Sequence, residues 1–403
     1  MADFCRRHRS LCIVLVAAFF VRILFFWIYP SIHFADAMAY RTIGNEIFSG
    51  QTITNHIYMP LYPILAYLSG GGIGQIIADI VLSTMSVALI YLLSIELFNN
   101  KIAAVVASIV AALYPHFLFY AVTGLTETFF TFLLLLAFLL LYKGKIVPAI
   151  IVLVLSILVR PSLDLLNPIL VFIFVAFIYQ SSSIRVMKGF KYVAIYALCY
   201  LLLIAPWWVH QHQKYGTFVR LHLADGIILY SGNNPINVTG GGVGRENSSV
   251  QDMDYSSFEN IADPIARNEA MKQAAIDFII ENPRRFIELA GLKFVRFWRL
   301  WPHTDQYQQW YTIAASLLSY GVVLLFSIGF MIRKGRHYFW HLMPIFALFS
   351  YLTLIHMVTI GSIRYRFPLE PFLIIFAAYF LVDIGQGSRW KMWLEKWVGG
   401  KLR

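Results

Sequence analysis

Apolar residues come in long unbroken runs along this chain, and that pattern sets the first expectations. Runs of roughly fifteen to twenty apolar residues satisfy every backbone group inside a bilayer only as helices. The pattern predicts an all-α polytopic membrane protein of about ten transmembrane helices. The spans are 11–29, 73–97, 102–115, 125–142, 146–159, 163–180, 190–206, 312–332, 339–358 and 368–385. Two polar stretches are too long to be turns between them. In 30–72 a short helix over 36–49 is stopped by Gly50, and Tyr58-Met59-Pro60-Leu61-Tyr62-Pro63 follows. In 207–311 the centre, from Gly232-Asn233-Asn234-Pro235 to the glycines up to Gly244, reads as loop. Asp263-Pro264 and Asn282-Pro283 each look like an N-cap with proline at the first helical position. The helix over 283–301 sets Phe286, Ala290, Phe294, Phe297 and Trp301 against Lys293, Arg296 and Arg299, and should lie along the membrane surface.

This divides the chain into three parts. Residues 1–206 form an N-terminal transmembrane module carrying the first outer loop, 30–72. Residues 207–311 form an outer loop or small subdomain, and 312–403 a C-terminal transmembrane module with a basic tail.

Composition agrees: 59% of the 403 residues are hydrophobic and 13% charged, about half the charged share of a soluble domain. The apolar stretch over 11–29 follows Arg6, Arg7 and Arg9 but is too long for a signal sequence and lacks a small-residue cleavage site, so it is expected to be a retained helix. The net charge of +11 does not indicate nucleic acid, because the basic residues are spread over short loops without a stripe or zinc spacing. They follow topology instead. With the N-terminus cytoplasmic, Lys101, Lys143, Lys145, Lys188, Arg333, Lys334 and Arg336 all fall inside, against very few acids. Both termini are then cytoplasmic and the two polar stretches face outward. The three cysteines form no CxxC pair and no disulfide framework.

Ionisable groups at a membrane face are costly to keep, so each is a candidate for chemistry. The outer ends collect Arg22, Asp36, Asp79, Glu127, Arg160, Asp164, Arg364 and Arg366. Arginine pairs such as Arg364 and Arg366 can fork onto phosphate oxygens at headgroup depth, or anchor the bilayer and pair with outer carboxylates. Asp36 is either an N-cap or a base that takes a proton from an acceptor hydroxyl. Glu127 is a helix-start acid favoured by the dipole, or a second carboxylate beside Asp36. Arg160, before Pro161, is a helix stop or a site residue, and Arg22 is expected to pair with an acid. Tyr40, His56, Tyr58, Tyr62, Asn233, Asn234 and Lys293 are candidate substrate contacts. No histidine spacing demands a metal, so no metal ligand and no cofactor is expected. The sequon matches at Asn237 and Asn247 matter only in a eukaryotic host.

Several segments taken together resemble a known family. Phe34-Ala35-Asp36-Ala37-Met38-Ala39-Tyr40 and Tyr58-Met59-Pro60-Leu61-Tyr62-Pro63 look like the first outer loop of the GT-C glycosyltransferases. Leu125-Thr126-Glu127-Thr128-Phe129, Val159-Arg160-Pro161, Gly232-Asn233-Asn234-Pro235, Asn282-Pro283-Arg284-Arg285-Phe286 and Arg364-Tyr365-Arg366-Phe367-Pro368 follow in the order of one branch. That branch holds the prokaryotic dolichyl-phosphate-mannose-protein mannosyltransferase-like and aminoarabinose transferase-like proteins. The resemblance implies a GT-C fold with outer juxtamembrane helices, in a prokaryotic cell membrane. It implies an inverting transfer of sugar from a polyprenyl-phosphate donor to a lipid, glycan or protein hydroxyl on the periplasmic or extracellular face. It places the catalytic carboxylate at Asp36 and a second acidic position at Glu127, and leaves the donor phosphate to Arg364, Arg366 and Arg160. Some aminoarabinose transferases have lysine where this chain has Met59. Two other readings stay open: an O-antigen ligase or polymerase working from 207–311, and a lipid-linked sugar flippase or transporter, which needs charges near the midplane.

Overall fold

The computed structural model describes residues 8–29, 34–53, 55, 57–178, 185–241, 256–304 and 307–385, and all its regular elements are helices. His56 and the Asn247 sequon lie outside the described residues. The elements in chain order are α1 (Arg9–Ile28), α2 (Ala35–Ser49), α3 (Leu61–Leu68), α4 (Gly72–Phe98), α5 (Lys101–Leu113), α6 (Pro115–Val122) and α7 (Thr126–Tyr142). Then come α8 (Ile146–Val159), α9 (Leu166–Ile173), α10 (Arg185–Tyr215), α11 (Asp225–Gly232), α12 (Pro264–Glu281) and α13 (Pro283–Trp298). The last two are α14 (Val322–Val358) and α15 (Glu370–Ile384). Gly50 closes α2 with φ 70°, the left-handed conformation the sequence led one to expect. Asp263 caps α12, accepting from the Ile265 and Ala266 amides. Asn282 does not cap α13, because its amide donates back to the Phe278 carbonyl instead.

Among the described residues five helices are long and apolar enough to cross a membrane, or six with the bent pair α5–α6 taken as one span. The all-helical membrane architecture is as expected, and the count of about ten spans goes beyond these. Helices α7, α8 and α9 with its continuation are shorter. At 14 residues, α8 extends roughly 21 Å, against about 30 Å of bilayer hydrocarbon. The short helices end at Glu127 and Arg160, so those side chains sit in a recess rather than on a rim.

The predicted spans 312–332 and 339–358 are joined by helix through the basic residues at 333–336. This element nevertheless folds back. The Arg366 guanidinium stands 3.5 Å over the Tyr320 ring, and His356 stacks on Tyr365 at 4.4 Å. A straight helix would separate residues 320 and 356 by about 54 Å. Both arms pack along α15: the Ser327 hydroxyl donates to the Leu373 carbonyl, and Phe330 and Phe349 both lie against Phe376. At the turn end Lys334 pairs with Asp383 at 3.0 Å, and Tyr142 donates to the His341 carbonyl at 2.7 Å. Helix ends assigned to one face by charge thus gather at one end of the bundle.

Arg22 corrects an expectation, since among the described residues no acid meets it. The break between α5 and α6 is 51°, before Pro115, which has no N–H for the Ala111 carbonyl. Arg22 fills that gap, donating to the Ala111 and Ala112 carbonyls, to Ala18 and to the Ser83 hydroxyl. It holds a broken helix inside the bundle.

Candidate active site

The site forms where the starts of α2 and α7 meet the segment before α15. Gly124 makes the approach possible: its φ is 66°, and a Cβ there would stand 3.2 Å from both the Ala37 Cβ and the Gln75 amide nitrogen. Asp36 is in the first turn of α2 and makes no capping bond, Phe34 being the N-cap. Its Oδ1 accepts from the Tyr58 hydroxyl at 2.8 Å, and its Oδ2 from Arg364 Nη1 at 2.8 Å. The same guanidinium donates through Nε to Glu127 Oε1, which also accepts from Arg160 Nη1 at 2.5 Å. Arg364 therefore bridges the two carboxylates.

The carboxylates differ in access. The Asp36 side chain is 29% exposed, and that of Glu127 is fully buried against two guanidiniums. Asp36 is the group an incoming hydroxyl can reach. An aromatic wall stands behind it, with Tyr40 edge-on to Tyr58 and Tyr62 at 4.8 and 5.0 Å. Burial and the neighbouring Asp36 charge push the Tyr58 phenol up, so it stays protonated and keeps donating. Burial likewise raises Tyr40. Tyr62 is buried and donates to Asp79 at 2.6 Å, while Gln75 ties Tyr62 to the Gly124 carbonyl. Tyr62 is thus a strut beneath the site. On the far side, Arg160 lies 5.4 Å over the Tyr365 ring, itself stacked on His356.

The structure brings Asp36, Tyr40, Tyr58, Tyr62, Glu127, Arg160 and Arg364 together and sets four other candidates apart. Arg366 is fully buried. Its Nε and Nη2 donate to Glu370 Oε1, and its Nη1 donates to the Phe297 and Arg299 carbonyls. It has no open face for a phosphate and instead clamps the end of α13 to α15. Glu370 also meets His116 at 2.8 Å. Sequence reading passed over both Glu370 and His116, although Arg366 and Glu370 are spaced i, i+4 on a helical segment.

Asn233, Asn234 and Lys293 form a third, internal cluster, apart from the carboxylate centre. Asn234 accepts the Ile236 and Asn237 amides and builds the turn after α11. Lys293 donates to the Asn233 side chain at 2.8 Å and to the Val358 carbonyl at 3.2 Å. The expected polar face of α13 is thus inverted there: Leu289, Lys293 and Phe297 are its buried stripe, while Ile287, Phe294 and Val295 are exposed. The Asn233 oxygen and the Val358 carbonyl make that burial possible.

Burial holds the Lys293 ammonium down at about 7. Because this is below the unfolded value near 10.5, the unfolded chain binds the extra proton between those limits. Folding stability attributable to Lys293 should therefore rise with pH from about 7 to 10 on the order of 1 kcal/mol per unit. Lys293→Met should flatten that rise in thermal unfolding measured at pH 7.5 and 9.5. Parallel slopes for the two proteins would place the proton elsewhere.

Among the described residues, no group of three or more His, Cys, Asp and Glu is placed to hold a metal ion. In sequence, no family model and no curated protein matches the chain. In structure, it is similar to the oligosaccharyltransferase of Archaeoglobus fulgidus in its apo form, with TM-score 0.54 and 15% identity. It is similar also to the same organism's oligosaccharyltransferase AglB in complex with an inhibitory peptide and a dolichol-phosphate, with TM-score 0.53 and 15% identity. Each match covers 98% of this chain and 52% of the other, so the chain spans about half the length of these structures. Fold and helices together define an all-helical integral membrane protein whose fold is similar to that of about half of each of these archaeal enzymes. The match does not select the mannosyltransferase-like or aminoarabinose transferase-like branch.

Proposed function

We propose that this protein is an inverting glycosyltransferase that moves a sugar from a polyprenyl-phosphate donor to a hydroxyl acceptor on the non-cytoplasmic face of the membrane. The observation that carries the reading is the half-buried, accessible Asp36 carboxylate, fixed by Tyr58 and by the guanidinium that also binds buried Glu127. Asp36 takes the proton of the acceptor hydroxyl as its oxygen attacks the anomeric carbon. The bond from that carbon to the phosphate oxygen breaks on the opposite face, and its electron pair leaves with the polyprenyl phosphate. That leaving group needs its charge stabilised more than it needs a strong acid. Arg364 Nη2 and the outer edge of Arg160 are the cationic groups beside Asp36 suited to that task, with Glu127 holding both in place.

The fold shared with oligosaccharyltransferases, one of them bound to a dolichol-phosphate, supports a lipid-linked donor. A ligase working from 207–311 has less support, because Asn233, Asn234, Asn237 and Lys293 are engaged with one another's loops and with backbone carbonyls. Arg364→Ala should weaken binding of a polyprenyl-phosphate sugar at least about tenfold by loss of a charge-assisted contact. Arg364→Lys should restore it only in part, since lysine keeps the charge without the fork. Donor affinity unchanged in Arg364→Ala would reduce this residue to a strut between carboxylates.

A further inference from the structure

A cavity of about 540 Å³ lies between α3, the end of α8 and the last turns of α10. Ile47 and Gly50, at the end of α2, are on its wall, with Asp36 at the start of the same helix; Pro60 and Leu158, two residues from Tyr58 and Arg160, are on it too. The distance along that helix is roughly 16 Å. Leu158 and Ile64 line the apolar side. From α10, Leu203, Trp207, His210 and Lys214 face inward at helical spacing, so apolar contacts pass into two basic ones along one stripe.

Three features mark the basic end as a place for a ligand. His210 stacks on Trp207 at 5.4 Å, and its Nε2 is buried without a hydrogen-bond partner. Lys214 donates to the Ile53 carbonyl, which fixes the ammonium at the cavity mouth and leaves its other hydrogens to a ligand. No carboxylate lines the cavity; Glu46, which acts on Lys214 electrostatically, is outside the lining. Beyond the apolar side, Leu68 on α3 and Leu202 and Val209 on α10 are exposed, on helices beside or within a membrane span.

We propose that this cavity binds one anionic lipid, its headgroup phosphate against Lys214 and His210 and a hydrocarbon chain along Leu158 and Leu203, separately from the donor's site. The ligand is identified by the pairing of an ammonium and an unpartnered imidazole nitrogen with an apolar slot on a helix long and apolar enough to cross a membrane. A free phosphate would leave the apolar length unused, and a zwitterionic lipid such as phosphatidylcholine would bring a cation of its own against Lys214. The proposal goes beyond the transferase reading, since among the described residues none of the hydrogen bonds to Asp36, Glu127 or Arg364 comes from a residue lining the cavity.

The full chain in nanodiscs of mixed phosphatidylcholine and phosphatidylglycerol, examined by native mass spectrometry, tests the proposal. Wild-type protein should retain one phosphatidylglycerol and no phosphatidylcholine. Lys214→Gln with His210→Gln should cut that retention at least about tenfold, and Lys214→Arg should keep it. Leu203→Trp, which fills the slot but leaves both basic groups, should lose the lipid as well. That variant decides the matter if the double substitution fails to fold. Equal retention of phosphatidylcholine, or retention surviving Leu203→Trp, would overturn the cavity as a lipid site. Displacement of phosphatidylglycerol by farnesyl phosphate would overturn its separateness from the donor's site.

Discussion

Asp36→Asn should fold and bind donor normally, yet transfer sugar about 100- to 10,000-fold more slowly, the usual worth of a general base. The geometry makes this a clean substitution. Asp36 makes no capping bond, so α2 loses only the modest favour of a first-turn acid, about 0.3–1 kcal/mol, when its charge is removed. The Asn oxygen can still accept from Tyr58 or Arg364, so the arrangement around it holds. What disappears is the more accessible of the two carboxylates at this centre. Glu127→Gln should behave differently. Glu127 is buried against Arg160 and Arg364, and its loss leaves Arg160 without its counter-charge and Arg364 with Asp36 alone. That variant should lose thermal stability and activity together. Single-turnover transfer and thermal unfolding of both variants separate the roles. Near wild-type turnover in Asp36→Asn would remove Asp36 as the base.

The second large effect is structural. Arg366→Ala should destabilise the protein by about 3–5 kcal/mol, the cost of breaking a buried ion pair by removing one partner. Glu370, also buried, would keep only His116, and the Phe297 and Arg299 carbonyls at the end of α13 would lose their donor. Donor affinity of the folded fraction should stay at the wild-type value, in contrast to Arg364→Ala. Thermal unfolding and donor binding in the same preparation give both readings. A stable Arg366→Ala protein with weakened donor binding would return Arg366 to the phosphate.

Two neighbouring arginines, Arg364 and Arg366, thus have opposite fates, and the sequence offers little to divide them. Both defy the inside bias of basic residues, and both precede the last helix. What separates them is the i, i+4 acid at Glu370 and the docking of α13, and the second of these is a long-range contact. The first-loop helix, its Gly50 stop and the apolar runs were legible because period, capping and hydropathy are local properties. The neighbourhood of Asp36, Glu127 and Arg364 was suggested only by their shared face and by family resemblance. Lys293 shows where local reasoning fails: a lysine on an amphipathic helix reads as solvated, yet Asn233 sixty residues earlier draws it inside. Arg22 fails in the same way, since a carbonyl freed by Pro115 is invisible until α5 and α6 are seen to break.

The central claim is that Asp36 drives transfer of a sugar from a polyprenyl-phosphate donor, and one measurement addresses it most directly. Lipid-linked sugars and glycosylated products should be compared by mass spectrometry in cells carrying the wild-type gene, no gene, or Asp36→Asn. The account predicts that one polyprenyl-phosphate sugar accumulates, and one glycosylated product disappears, in both the deletion and the Asp36→Asn cells. Identical lipid-linked sugar pools and identical products in all three would contradict it.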